Sequence, residues 1–262
     1  VQPYLTGQLT VSGHNGPDST LVTGTPQEID ALVQRLTEEG ITTHRVRMGH
    51  APHSPLVDHV LAPLRAELDG IKPRTTRVPM ISTVTGERVD GAELGPDYWA
   101  DNLRHEIQVV KALTALRDHD IDAVVELSPH PLLLKAAAQL LDGATLPSLR
   151  RGADEAQTLL GSLGALYTAG HPVTASPFLM GDRGRHLAPG QGAAAEDEAL
   201  RLVPVSAHSA AALTDTCRAL SNHVERDAGP RVADPAYTLA TRRTHRNHRV
   251  ARLARSRQDL LD

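Results

Sequence analysis

Cysteine is nearly absent: Cys217 stands alone among 262 residues, so no internal disulfide can form and no CxxC zinc or redox pair exists. A reducing, cytoplasmic setting is the expectation. Aromatic side chains are scarce too. Phe178, Trp99, Tyr4, Tyr98, Tyr167 and Tyr237 are the whole set, which leaves the core to Leu, Val and Ala and removes the stacking platforms that single-stranded nucleic acid uses. No apolar run approaches the roughly 18 residues that cross a bilayer, and the opening Val1-Gln2-Pro3-Tyr4 has neither an initiator Met nor a basic-then-apolar leader. No membrane partner is expected, and the chain reads as a piece of a longer protein.

What is present is ordinary globular usage: 40% apolar and 22% charged residues, with a net charge of −4. That balance excludes disorder of the whole chain. The pattern begins as strand Leu9–Ser12, a breaker-rich turn from His14 to Asp18, and strand Ser19–Thr23. A well-marked helix follows, with Thr25 as N-cap, Pro26 at N1 and Glu28 completing a capping box. Ile29, Leu32, Val33 and Leu36 form its stripe, and Gly40 is its stop. A returning strand over Ile41–Met48 would complete a ferredoxin-like unit. Ser54-Pro55 then opens a helix kinked at Pro63 and ended by Gly70. Strand Val78–Val84, a long helix Asp97–Arg117, a buried parallel strand Ala123–Leu127, helix 132–141, strand 144–149 and helix 153–168 continue the alternation, which implies a layered α/β fold. Beyond Pro172 a Gly- and Pro-rich stretch reads as a mobile linker. A second unit begins near Leu202: strand 202–206, a helix capped by Ser209, another opened by Asp234-Pro235, a strand near 248–254 and a capping box at Ser256.

Two loops could carry chemistry. Met48 to Pro55 contains His50 and His53 ahead of a helix N-terminus, where a histidine suits general acid–base work near neutrality. The H-x-x-H spacing leaves metal ligation open, as in a hydrolase built on His44, His50 and His53, and so is a purely structural role. Glu126-Leu127-Ser128-Pro129-His130-Pro131 follows the buried strand, at the carboxyl-end crevice where open α/β sheets bind ligands. Arg242–Arg257 holds seven arginines and no acid, a +7 stretch in a chain otherwise at −11. The interleaved Val250, Leu253 and Leu260 favour a folded basic surface over a nucleic-acid arm.

Several stretches occur together in the order seen in one family. His14-Asn15-Gly16-Pro17, Gly49 to Pro55, Ser82-Thr83-Val84-Thr85-Gly86, Tyr98 to Arg104 and Glu126 to Leu132 resemble the C-terminal part of acyltransferase domains of modular type I polyketide synthases. The resemblance implies a partial hydrolase-like large subdomain with a ferredoxin-like small subdomain, followed by a small α/β linker domain. Residues 1–150 would be the acyltransferase part, with 1–48 the ferredoxin-like subdomain and 49–150 the return to the large one. Residues 151–200 would be a post-acyltransferase linker, and 201–262 a truncated module like the linker between ketosynthase and acyltransferase.

Functionally, the resemblance implies transfer of a malonyl-type unit from coenzyme A to the phosphopantetheine arm of an acyl carrier protein through a seryl ester. No bound cofactor or metal is implied; the partners are acyl-coenzyme A, carrier protein and neighbouring synthase domains. His53 inherits the general-base role, oriented by a main-chain carbonyl mapped to His119-Asp120. His50 and Pro52 fall at the specificity motif, and Asn15 and His130 line the cleft, His130 in a mainly structural turn. A His-first motif favours malonyl over methylmalonyl, with leaky rejection because Pro52 is smaller than the usual Phe. Ile107, Val109 and Val110 stand where the family has Phe. No Gly-x-Ser-x-Gly nucleophile elbow occurs in these residues, so the fragment is expected to be inactive alone. A non-catalytic scaffold or docking module is the competing reading.

Overall fold

In a computed structural model, residues 1–46, 48–172, 199–226 and 232–262 are described. The expected glycine-rich linker falls within 173–198, outside them. The chain divides into two compact units, Val1–Val124 with Leu132–Thr145, and Val125–Pro131 with Leu146–Asp262.

The first unit opens with an antiparallel hairpin of β1 (Thr10–Gly16) and β2 (Ser19–Thr23). His14 to Gly16, expected as turn, belong to β1: the strand accommodates them through register irregularities between Val11 and Gly13 and between His14 and Gly16, and only Pro17-Asp18 remain for the turn. Helix α1 (Pro26–Glu38) is capped as the sequence requires, Thr25 and Glu28 exchanging backbone and side-chain bonds. The expected strand Ile41–Met48 is not formed over its described residues. A strand requires a ladder partner, and Val46 and Met48 stand 65% and 55% exposed.

Ser54 starts a short 3₁₀ turn, Pro55–Val57, that runs into α2 (Asp58–Leu68), with Pro63 inside it. The strand expected over 78–84 shrinks to β3 (Met80–Ile81), paired with β4 (Arg88–Val89). The turn between them is closed by Gly86 N–H to Ser82 O. The long helix expected over 97–117 is two: α3 (Pro96–Arg104) and α4 (Val109–Leu116), with an extended break between them. Strand β5 (Ala123–Glu126) pairs with β6 (Ala144–Pro147), and α5 (Leu134–Leu140) lies between them in sequence. The expectation of a deeply buried β5 fails at Val125, which is 39% exposed; among the described residues β6 is its one ladder partner. Val109, Leu113, Ala136, Ala137 and Leu141 form this unit's core.

In the second unit β7 (Arg201–Ala207) and β8 (His248–Ala254) pair antiparallel, Arg201 opposite Ala254 and Ala207 opposite His248. Alternation along β7 serves two faces. Leu202 packs with Leu160 of α6 (Glu155–Thr168), whereas Val203 packs with Val232, Ala236 and Ala254. The latter side is closed by α7 (Ala210–Arg226), α8 (Ala233–Thr241) and α9 (Arg257–Leu261). Part of the residues expected as linker therefore forms α6, a layer of this unit.

Candidate functional site

The site is built from the turn ahead of α2 and the break between α3 and α4. Ser54 is fully buried; its hydroxyl donates to Ala51 O at 2.8 Å and accepts the Leu56 N–H at 3.2 Å. That closure forces a sharp reversal, and His53 takes φ of 57°, the left-handed region that a non-glycine residue enters only under constraint. Two bonds hold it there: the His53 N–H donates to Leu103 O at 2.8 Å, and Nδ1 lies 2.9 Å from His105 O.

A carbonyl only accepts, so Nδ1 must carry the proton and donate it. Of the two neutral tautomers, this contact selects the one with a proton on Nδ1 and a bare Nε2. The orienting carbonyl is that of His105, which corrects the mapping to His119-Asp120; those residues end a 3₁₀ turn after α4, with Asp120 at φ 49°.

The break exists because backbone partners outside the helix compete for its N–H groups. Ile107 N–H donates to Ser12 O at 2.9 Å and Gln108 N–H to Thr83 O at 2.7 Å, where a continuous helix would have used its own carbonyls. Arg104 pairs with Asp58, and Arg65 with Asp97 at 2.7 Å, tying α3 to α2. Ser82 Oγ, buried, meets Tyr98 Oη at 2.8 Å and accepts the Val84 N–H, fixing the stretch that presents Thr83.

Of the other candidates, Pro52 is buried beside His53, while His50 is exposed on the same loop. Asn15 is half-buried near the hairpin end of β1. His44, His50 and His53 do not assemble a metal site: among the described residues no three His, Cys, Asp or Glu side chains converge to hold an ion. His130 lies in the second unit. Its Nδ1 accepts the Arg151 N–H at 3.3 Å and its carbonyl accepts the Ser128 hydroxyl at 2.9 Å, while Ser128 and Ser148 exchange bonds. These contacts give the turn a structural histidine. His105, Leu103 and Ser54 are the residues that sequence reasoning missed. Two of them act through main-chain carbonyls, which leave no side-chain signature.

Four of the seven arginines of the basic stretch make structural contacts. Arg249 reaches the carbonyls of Tyr167 in the last turn of α6 and of His171 just past it, Arg252 the carbonyl of Asp259, and Arg257 the carbonyl of Val224 in α7; Arg255 pairs with Asp154 at 2.8 Å. No helix among the described residues is long and apolar enough to cross a membrane.

Residues 3–173 match the family of the acyl transferase domain, and residues 201–262 the family described as CurL-like, PKS C-terminal. The chain is 37% identical over 174 residues to polyketide synthase GfsB of Streptomyces halstedii, covering 64% of this chain. It is 33% identical over 210 residues to erythronolide synthase EryA2 of Saccharopolyspora erythraea, covering 73%. It spans 3% and 6% of the length of those two proteins. Among solved structures it is similar to the acyltransferase domain from module 8 of the salinomycin polyketide synthase, at 37% identity and a TM-score of 0.59 over 63% of this chain and 40% of that one. It is also similar to a loading acyltransferase from the avermectin modular polyketide synthase, at 31% identity and a TM-score of 0.60 over 64% and 54%. That likeness shows the expected α/β fold, with its hydrolase-like and ferredoxin-like parts.

Proposed function

The chain belongs to the acyl transferase domain family of modular type I polyketide synthases, and on that premise we propose that it supplies the general base for loading a malonyl-type extender unit. The donor is acyl-coenzyme A, the acceptor the phosphopantetheine arm of an acyl carrier protein, and the intermediate a seryl ester whose serine lies outside these 262 residues. No resident cofactor takes part. The observation that carries this reading is the 2.9 Å bond from His53 Nδ1 to His105 O.

A serine hydroxyl is a poor nucleophile until a base accepts its proton. His53 Nε2 is the free lone pair, and the His105 carbonyl stabilises the imidazolium that forms once the proton has moved. As the ester forms, the imidazolium gives that proton to the departing coenzyme A thiolate; when the thiol of the phosphopantetheine arm then attacks the ester, the bare nitrogen accepts the thiol proton and returns it to the released serine oxygen. His50 and Pro52 flank Ala51 on the approach to His53 and set the room beside the donor's α-carbon. One extra methyl group there supports about 1 to 3 kcal/mol of discrimination, so malonyl is preferred and methylmalonyl is imperfectly refused.

The test uses the complete domain, including the residues that precede this chain in its parent protein, with both donors competing at equal concentration. His53→Ala should slow self-acylation by roughly 10²- to 10⁴-fold with either donor. His50→Ala should chiefly change the malonyl to methylmalonyl ratio. Equal losses from both substitutions, or predominant methylmalonyl loading by the unsubstituted domain, would overturn these assignments.

A further inference from the structure

Three consecutive residues of β1 touch the segment that carries the orienting carbonyl. Ser12 O accepts the Ile107 N–H, Gly13 forms a parallel bridge with Ile107, and His14 Nε2 stands 3.6 Å from Glu106 Oε1. The middle contact leaves little room for a side chain. A Cβ placed on Gly13 would lie 3.1 Å from Ile107 Cβ and 3.2 Å from Ile107 O, so glycine is what allows the backbones this close an approach.

The ends of the break are fixed. His105 N–H donates to Asp101 O at one end and Gln108 N–H to Thr83 O at the other. A push on Ile107 must therefore be absorbed by rotating the peptides between, and the first of these is the His105–Glu106 peptide, whose carbonyl holds His53. The His14–Glu106 pair is long and both groups are well exposed, so it adds little to this restraint.

We propose that Gly13 is a positioning residue for the general base: lacking a side chain, it sets how closely β1 grips Ile107 and thereby aims the His105 carbonyl at His53 Nδ1. This rests on the reading of His53 as the base, and the two can be tested apart.

The positioning test needs only the 262-residue chain, labelled with ¹⁵N-histidine. Long-range ¹H–¹⁵N spectra report which ring nitrogen carries the proton, and His53→Gln identifies the His53 signals. The unsubstituted chain should show a proton on Nδ1 of His53 and a bare Nε2. Gly13→Ala should give a mixture of tautomers and Gly13→Val a larger shift toward Nε2–H. His130, whose Nδ1 accepts the Arg151 N–H, should remain Nε2–H throughout and reports that the second unit is intact. Should Gly13→Val fail to fold by circular dichroism, Gly13→Ala carries the test alone, because its methyl already meets the 3.1 Å contact.

In the complete domain the acylation rate constant should fall about 10-fold for Ala and about 100-fold for Val, the scale of a small misplacement of a reacting group, with KM for the donor unmoved. A folded variant that keeps His53 as a single Nδ1–H tautomer would overturn the positioning role. A displaced tautomer with undiminished acylation would overturn the base and leave the positioning intact.

Discussion

Arg249→Ala decides what the basic stretch of the second unit is for. The guanidinium donates to Arg246 O at 2.6 Å, to Tyr167 O at 3.3 Å and to His171 O at 3.1 Å, and its Cζ stands 5.1 Å from the centre of the buried Tyr167 ring. A hydrogen bond from a charged donor contributes about 1.5 to 3 kcal/mol, and a partly exposed cation–π contact about 0.5 to 1 kcal/mol. Water can reach part of this site because Arg249 is half-buried. The contributions therefore do not sum, and a net loss of about 2 to 4 kcal/mol is expected. With a urea dependence near 1 to 2 kcal/mol per molar for a unit of this size, the midpoint should fall by about 1 to 4 M. Urea unfolding followed by circular dichroism should show that shift, while the fluorescence of Trp99, which lies in the first unit, should not follow it. Arg249→Lys retains the charge but has one nitrogen in place of the two that reach Arg246 O on one side and the Tyr167 and His171 carbonyls on the other, so it should recover less than half of the loss. A solvent-facing arginine would give changes within about 0.5 kcal/mol. Such a result, together with salt-sensitive retention of DNA that Arg249→Ala abolishes, would refute the structural role.

Two further outcomes concern the first unit. Glu28 accepts the N–H of Gln8 and then the hydroxyl and N–H of Thr25, which hold its carboxyl below the usual glutamate range. A depressed folded value gives stability that is present above the unfolded value of about 4.3 and is lost as pH falls through the folded one. The protection of the Gln8 and Thr25 amides relative to their intrinsic exchange rates should therefore fall on acidification below about pH 4, and Glu28→Gln should remove that acid step. Gly86 has φ of 72°, and a Cβ there would come within 2.7 Å of Lys111 Cβ. Gly86→Ala should therefore cost about 1 to 3 kcal/mol, read by Trp99 fluorescence in urea; a loss below 0.5 kcal/mol would count against the strained turn.

Local chemistry made much of this fold legible. The capping boxes at Thr25 and Ser256 and the strand over Ser19–Thr23 act through residues a few positions apart, and the structure forms each of them. Strand Ile41–Met48 had the right residue types yet did not form over its described residues, because β-propensity expresses a fit to a partner surface and not a preference of the isolated segment. Likewise His53 could be singled out by its side chain, whereas its two anchors could not.

The break after Arg104 shows why. Trp99, Leu103, Ile107 and Val110 recur at spacings of four, four and three, the signature of one continuous amphipathic helix. What interrupts it is a pair of acceptors far away in sequence, Ser12 O and Thr83 O, that take the N–H groups of Ile107 and Gln108. Releasing the helix there leaves the His105 carbonyl without the intrahelical N–H that a continuous helix would have supplied from Val109, and that freed acceptor is the group that fixes the His53 tautomer. The failure of the periodic pattern and the formation of the His53 site are thus one event: Ile107 and Val109 pack on the core, a phase that the stripe through Val110 does not anticipate, while the backbone departs from the helix to present a carbonyl to the imidazole.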